Sequence, residues 1–289
     1  MIRLLLLCYF IHFVACSEIE SKVIDVQGHR GCRGLYPENT IIGFKKAIEL
    51  GVTTLELDIV VNKDLDLIVS HDPYYHAEIT TLNDGTHLKP NQEQNWIIYN
   101  LIFEEMKLLD VGLRQSKRFP RQKSVSAIKP TLKEVFETFS LTDIRYNIEI
   151  KRKPSEEGVL YPELSLYIDL VVNLIREYNL SKKVTIQSFD IETLQMIKKR
   201  YPSYQLAFLT DDKINDFADN VELLGFVPDI YSPHRTLVTI PLIHLCHKKN
   251  IKIIPWTVNY PSTMRKLIRW GVDGIITDYP DKLINILNK

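Results

Sequence analysis

His29-Arg30-Gly31, then Pro37-Glu38-Asn39-Thr40, Glu56-Leu57-Asp58 and Ser70-His71-Asp72, all lie between positions 29 and 72 of a 289-residue chain. The stretch reads as strand, helix, strand. A β-rich run at 23–29 leads into His29. Residues 42–50 place Phe44, Ala47 and Ile48 at helical spacing, and 54–59 form a second β-rich run. Two strands joined through a helix predict a parallel pair, so the polar residues ending the first strand and lying on the second meet at one end of a sheet.

The pattern continues outward. Further β-rich runs occur at 146–151, 184–188, 204–209, 229–233, 252–258 and 274–278. Helical patterns occupy 131–139, 164–178, 191–200, 240–249 and 263–270, and Thr131 with Glu134 forms a capping-box signature. Strand and helix alternating eight times predicts an α/β fold, a closed (β/α)8 TIM-type barrel, with a doubly wound open sheet as the alternative. A chain of this length exceeds the usual allotment of about 150 residues per domain, but one barrel commonly takes about 250. Residues 23–289 are thus read as one catalytic barrel.

Two places break the rhythm. Residues 67–71 are strand-like with no helix before them, which predicts a hairpin. A turn at Lys63-Asp64 would set Glu56 opposite His71. Residues 73–130 are long, polar and weakly periodic, with a short helix near 103–109. They are expected to form an inserted cap or lid after the second strand and its hairpin, because loops this long are uncommon unless functional. Tyr74, Tyr75 and Trp96 are its candidate substrate contacts.

Composition is ordinary for a globular protein, with 45% hydrophobic and 25% charged residues. Lys+Arg and Asp+Glu each total 36, so no bulk charge favours nucleic acid, and any anion site is built locally. Met1-Ile2-Arg3 and an apolar run over 4–14 fit a secretory signal over 1–15, too short to span a bilayer. Ala15 before Cys16 resembles the lipobox of bacterial lipoproteins. That reading makes Cys16 a lipid attachment site and 16–22 a tether, and puts the protein outside the cytoplasm on a bacterial membrane. Phe13 is unusual there, and an ordinary secretory signal is the alternative. No cysteine spacing indicates a disulfide or zinc site.

Residues two apart on a strand share a face. Glu56 and Asp58 do so, and on the third barrel strand Asn147, Glu149 and Lys151 do likewise. Three carboxylates converging in a barrel repel unless a cation joins them, and an all-oxygen set selects Mg2+ or Ca2+. A buried ion-pair network with Arg30 and Lys151 is the alternative. His29 and His71 suit general acid and base, Arg30 and Lys151 suit phosphoryl oxygens, and Gln187 and Trp256 are candidate pocket residues, Trp256 being equally compatible with core packing. Together these are the parts of phosphodiester hydrolysis.

The motifs resemble those of the glycerophosphodiester phosphodiesterase family. The resemblance runs from Val26-Gln27-Gly28-His29-Arg30-Gly31 through Pro37-Glu38-Asn39-Thr40, Glu56-Leu57-Asp58, His71-Asp72 and Ile148-Glu149-Ile150-Lys151 to Pro255-Trp256-Thr257-Val258-Asn259 and Asp273-Gly274-Ile275-Ile276-Thr277-Asp278-Tyr279-Pro280. It implies a barrel with a cap after its second strand and a divalent metal on Glu56, Asp58 and Glu149. It also implies His29 and His71 as the acid/base pair, and Arg30 and Lys151 as phosphate contacts. The implied reaction is hydrolysis of a glycerophosphodiester, a small-molecule substrate, to an alcohol and glycerol 3-phosphate. Alternatives are a related barrel phosphodiesterase acting on intact phospholipid and a non-catalytic glycerophosphodiester-binding protein. At the hairpin turn, where the family often has Asp-Gly, this chain has Asp64-Leu65.

Overall fold

A computed structural model describes residues 23–289; the segments expected as a signal (1–15) and a tether (16–22), with Cys16, lie outside them. The strands are β1 (Asp25–Gly28), β2 (Thr54–Val61), β3 (Leu67–Val69), β4 (Arg145–Ile150), β5 (Val184–Ser188), β6 (Gln205–Thr210), β7 (Ile230–Pro233), β8 (Lys252–Ile253) and β9 (Gly274–Thr277). All but β3 are parallel to their neighbours, in the order β8-β7-β6-β5-β4-β2-β1-β9.

The ends of that order meet. Asp273 N–H donates to Ile253 O at 2.9 Å, Ile276 N–H to Pro255 O at 3.1 Å and Val258 N–H to Ile276 O at 2.9 Å, so the sheet closes into the predicted TIM-type barrel. The run predicted over 252–258 is regular only at Lys252–Ile253. Pro255 has no N–H to continue a ladder, and the chain beyond it still follows β9 through the bonds just named.

The helices are α1 (Ile41–Leu50), α2 (Phe103–Met106), α3 (Leu132–Thr138), α4 (Leu164–Glu177), α5 (Ile191–Arg200), α6 (Phe217–Leu224), α7 (Ile240–Lys248), α8 (Pro261–Trp270) and α9 (Pro280–Leu287). In α4, Leu164, Tyr167, Ile168, Val171, Val172 and Ile175 are buried, the stripe of a helix laid on a sheet. The Thr131 box forms: its hydroxyl accepts from Glu134 N–H at 3.0 Å, and the Glu134 carboxylate accepts from Thr131 N–H at 2.8 Å. Helices α6 and α9 are not among the helical patterns read from the sequence, although Phe217, Val221 and Leu224, and Leu283, Ile284, Ile286 and Leu287, lie at helical spacing. Their signals are local: an Asp216 cap with Gly225 at the far end of α6, and Pro280 opening α9.

The hairpin exists, but in a different register. Ile59 pairs with Val69, Val60 with Ile68 and Val61 with Leu67. Ser70 N–H donates to Asp58 O at 2.9 Å, so Asp58, not Glu56, lies beside this return, and His71 stands past its end. The loop is Lys63, Asp64 and Leu65, closed by Asn62 N–H on Asp66 O at 3.1 Å, with Leu65 at φ 65°. A three-residue hairpin loop requires a left-handed residue there, normally glycine.

Residues 73–130 form no part of the barrel repeat. They hold two 3-10 turns (Pro90–Asn95, Ile98–Asn100) and α2, pinned by a Thr81–Asp110 bridge. The segment also packs on the β1–α1 connection, where Gln122 Nε2 donates to Arg33 O at 2.7 Å and Tyr36 O at 3.1 Å. Tyr75, expected as a substrate contact, is fully buried and donates to Met106 O at 3.2 Å. Trp96 packs against the core, and Tyr74 alone of the three lines a cavity beside the barrel mouth.

Candidate active site

The C-terminal ends of the strands surround a cavity of ≈ 150 Å³ lined by His29, Arg30, Glu56, His71, Glu149, Lys151, Gln187 and Trp256 among others. Eight of the nine barrel residues expected at a site therefore line one cavity, and Asp58 lies buried beneath it.

Parallel registers explain the convergence. Asp58 pairs with Glu149, Glu149 with Gln187, and Glu56 with Asn147, so their side chains share the inner face. Glu56, Asp58 and Glu149 each offer an oxygen, all within 4.8 Å of one another. Burial, then Asp58 and Glu149, push the Glu56 carboxyl well above the ordinary carboxylate range. Burial also raises Glu149, against the pull of Lys151. In Asp58 burial acts upward but is outweighed by Lys151 and Arg30, which hold it well below its ordinary value. Asp58 Oδ1 is buried without a hydrogen bond, although Lys151 Nζ lies 3.2 Å away; the spacing makes an ion pair but the angle does not make a bond. A three-carboxylate oxygen set with one oxygen unmatched fits a hard divalent cation.

An amide relay through the barrel interior orients Glu56. Gln27 Nε2 donates to Asp25 at 2.9 Å, Asn147 Nδ2 donates to Gln27 Oε1 at 2.8 Å and to Gln187 Oε1 at 2.9 Å, and Gln187 Nε2 donates to Glu56 Oε1 at 2.8 Å. Gln187, expected as a pocket residue, is thus first a support for Glu56. The other Glu56 oxygen accepts from Arg30 N–H at 2.8 Å. That bond needs the backbone turn in which Arg30 takes φ 50° and Gly31 φ 86°.

Each histidine has its own carboxylate. His29 Nδ1 lies 2.6 Å from Asp278 Oδ1. An ionised carboxylate only accepts, so Nδ1 carries the proton and Nε2 keeps a lone pair. Arg33 Nε also donates to Asp278 at 2.9 Å and Asn259 Nδ2 at 2.6 Å. Burial tends to raise Asp278, yet His29 and Arg33 outweigh it and hold it ionised far below the carboxylate range. Burial first, then the Arg33 charge, lower His29 to about 4 despite Asp278. His71 is more open, with 34% of its side chain exposed, and its Nδ1 lies 3.0 Å from Asp72 Oδ1. Burial would raise Asp72, but the His71 bond and charge bring it down to about 2.

The two expected phosphate contacts already hold carboxylates. Arg30 Nη1 donates to Glu38 at 2.7 Å and its Nε lies 3.3 Å from Asp58, while Lys151 Nζ lies 2.6 Å from Glu149. Trp256 donates through Nε1 to Ser232 O at 2.9 Å and meets Phe189 edge-on at 5.3 Å, so it is anchored to the barrel while facing the cavity.

Sequence reasoning assigned no role to Asp278, Asp72, Glu38 or Asn39. All four stood in quoted motifs. Asn39, at φ 53°, donates from Nδ2 to Asp58 Oδ2 at 2.9 Å, and Glu38 neutralises Arg30. The adjacency of His71 and Asp72 was a usable signal. For His29 and Asp278, 249 positions apart, only barrel closure shows the pairing.

The profile of the glycerophosphoryl diester phosphodiesterase family matches residues 29–282. A glycerophosphodiester phosphodiesterase from Caldanaerobacter subterraneus is 34% identical over 267 residues, covering 91% of this chain and 98% of its own. A Silicibacter pomeroyi protein of the glycerophosphoryl diester phosphodiesterase type superposes with TM-score 0.83 at 26% identity, over 92% of this chain and 95% of its own. An Oleispira antarctica phosphodiesterase, solved with its product sn-glycerol-3-phosphate, shares the fold with TM-score 0.73 at 22% identity over 92% of this chain and 97% of its own. With the barrel closed and its motif residues gathered around one cavity, the chain belongs to the glycerophosphoryl diester phosphodiesterase family, as an enzyme of that class.

Proposed function

We propose that the protein hydrolyses glycerophosphodiesters to an alcohol and glycerol 3-phosphate by two-histidine acid–base catalysis with a divalent cation, Mg2+ or Ca2+. The observation that carries the reading is that two carboxylate-paired histidines line one cavity together with Glu56 and Glu149 of a three-carboxylate cluster. Glu56, Asp58 and Glu149 would hold the ion, which supplies Lewis-acid charge for the phosphoryl group when bound.

The buried, neutral His29 suits the base. Its Nε2 accepts a proton from the attacking hydroxyl, of water or of the neighbouring glycerol carbon, while Asp278 and Arg33 keep the ring in one tautomer. The more open His71 suits the acid, delivering a proton to the alcohol oxygen as its bond to phosphorus breaks. Arg30 and Lys151 line the cavity as cations for phosphoryl oxygens, and Gln187 keeps Glu56 aimed. Release of glycerol 3-phosphate from glycerophosphocholine, measured before and after exhaustive chelation, tests the reading. Full activity without metal refutes the cation's part, and inactivity with metal on every soluble diester refutes the reaction.

Residues 73–130 are proposed as a lid that governs substrate choice, supported by Tyr74 and Arg118 at the cavities of the mouth. Exchanging this segment for a relative's should change relative rates across a panel of diesters. Export and a lipid on Cys16 rest on the sequence alone. Among the described residues no helix is long and apolar enough to cross a membrane. Labelled fatty acid entering the wild type but not Cys16→Ser tests the anchor.

A further inference from the structure

The catalytic cavity adjoins a larger one of ≈ 480 Å³; Arg118, Trp256 and Thr257 line both. Three cations from separate parts of the chain face this second cavity: Arg118 of the insert, Arg235 after β7 and Lys282 in α9. Among the described residues, none of the three is ion-paired. Arg235 donates to Thr257 O at 3.2 Å and contacts His234 Nε2 at 2.9 Å. Lys282 lies 3.6 Å from the centre of the Tyr279 ring, and Arg118 5.4 Å from that of Phe119. The carboxylate in the lining is Asp278, already held by His29, Arg33 and Asn259. Burial lowers the Lys282 ammonium below its ordinary value, and the nearby Asp281 and Asp278 carboxylates offset this only in part.

The cavity on the opposite side of the mouth serves as an internal control. It is also lined by three cations, Lys151, Arg152 and Lys153, but each is matched. Lys151 pairs with Glu149, Arg152 with Glu157, Asp190 and Glu192, and Lys153 with Glu156. Cations without a direct ion pair therefore line the second cavity, while those of the control cavity are each paired. Cations left unmatched in a concave site attract anions.

We infer that the Arg118–Arg235–Lys282 cavity receives the leaving alcohol and selects an alcohol that carries its own anionic group, a phosphate or a carboxylate. The inference rests on the hydrolytic reading above and narrows its substrate class. Glycerol phosphate stays over the carboxylates at the barrel mouth, while the second anion of the alcohol lies beyond Trp256.

The test uses three diesters that differ only in the leaving alcohol: glycerol, glycerate and glycerol phosphate. Wild-type kcat/KM should favour glycerol phosphate over glycerol by about tenfold, the scale of charge-assisted contacts in a part-exposed site. An equal gain with glycerate identifies any anion as sufficient; a gain with phosphate alone identifies phosphate as the group read. Arg235→Gln with Lys282→Gln should erase the preference and leave the glycerol diester within about twofold. Arg235→Lys with Lys282→Arg, which keeps both charges, should retain it. Equal wild-type rates on glycerol and glycerol phosphate, or equal losses on both in the double Gln variant, overturn the proposal. Calorimetric binding of the glycerol phosphate diester to chelated protein separates the two readings. Tighter binding to wild type than to the double Gln variant, without turnover of any diester, keeps the cavity assignment and removes the hydrolytic one. Turnover with indifferent binding does the reverse.

Discussion

On one side of the barrel the inner layer runs Asp58, Glu149, Gln187 along β2, β4 and β5; on the other it continues as Ala207 and Ile230 along β6 and β7. Ile254 and Ile276 complete the second half, and these four apolar residues pack as a cluster of their own with Trp256 against it. Barrel interiors are ordinarily filled by branched apolar side chains. Here half of the interior keeps that role and the other half carries buried charge. The outward faces of the charged strands stay apolar: Leu55, Leu57, Ile59, Ile148 and Ile150 belong to the main core beneath the helices. Each strand therefore separates stability from chemistry by its two-residue period. The difference between the halves teaches that buried carboxylates are tolerated where amides and cations hold most of their oxygens, with one Asp58 oxygen left unmatched, and that the apolar half packs as a wall beside them.

The comparison predicts a division of effects. His29→Ala and His71→Ala should each lower turnover by about two to four orders of magnitude, the scale of general acid–base groups. Metal binding, read by calorimetry, should persist in both; the unfolding midpoint should barely move for the part-exposed His71, whereas loss of the buried His29 takes a partner from Asp278 and should lower it. Near-normal turnover in either variant would remove that histidine from the reaction.

In the apolar half, Ile254→Ala should do the opposite. It should cost about 2–5 kcal/mol of stability, as cavities in cores do, and leave turnover per folded molecule almost intact. Denaturant unfolding and active-site titration measure both. A large loss of turnover without loss of stability would erase the distinction between the halves.

Acid should also act on one half. The unfolded chain takes up a proton at His29 near 6.5, whereas the folded chain does so only at about 4. Stability contributed by this group is full above 6.5 and is lost as pH falls through that window, a difference of about 3 kcal/mol. His29→Asn should therefore lose less stability than wild type between pH 7 and pH 4. Parallel curves would show that His29 is not held neutral.

The smallest effect is expected outside both halves, at the hairpin. Leu65 pays a steric penalty at φ 65° that glycine avoids. Leu65→Gly should raise stability by about 0.5–1 kcal/mol after glycine's greater unfolded entropy is allowed for. Activity should be unchanged, since the side chain is 42% exposed and lines no part of the catalytic cavity. A destabilised variant would mean that the Leu65 side chain contributes packing that outweighs its strain.

Periodicity and local chemistry made much of this legible from sequence. Strands alternate with a period of two, so Glu56 with Asp58 and Asn147 with Glu149 and Lys151 declared their shared faces, and the repeated strand–helix units declared a barrel. The Thr131 capping box was legible for the same reason, since its partners are three residues apart. What the tertiary structure decided is whatever depends on distant or competing partners. The hairpin register turned on where one left-handed residue sits, and a shift of one position takes Glu56 from opposite His71 and sets Asp58 against Ser70. Asp278 reaches His29 only because β9 closes onto β1. For Arg30 and Lys151 the sequence left phosphate contacts and an ion-pair network both open; in the fold both are matched by carboxylates, whereas Arg118, Arg235 and Lys282 have no direct ion pair. Charge matching is a property of three-dimensional neighbours, and no spacing along the chain records it.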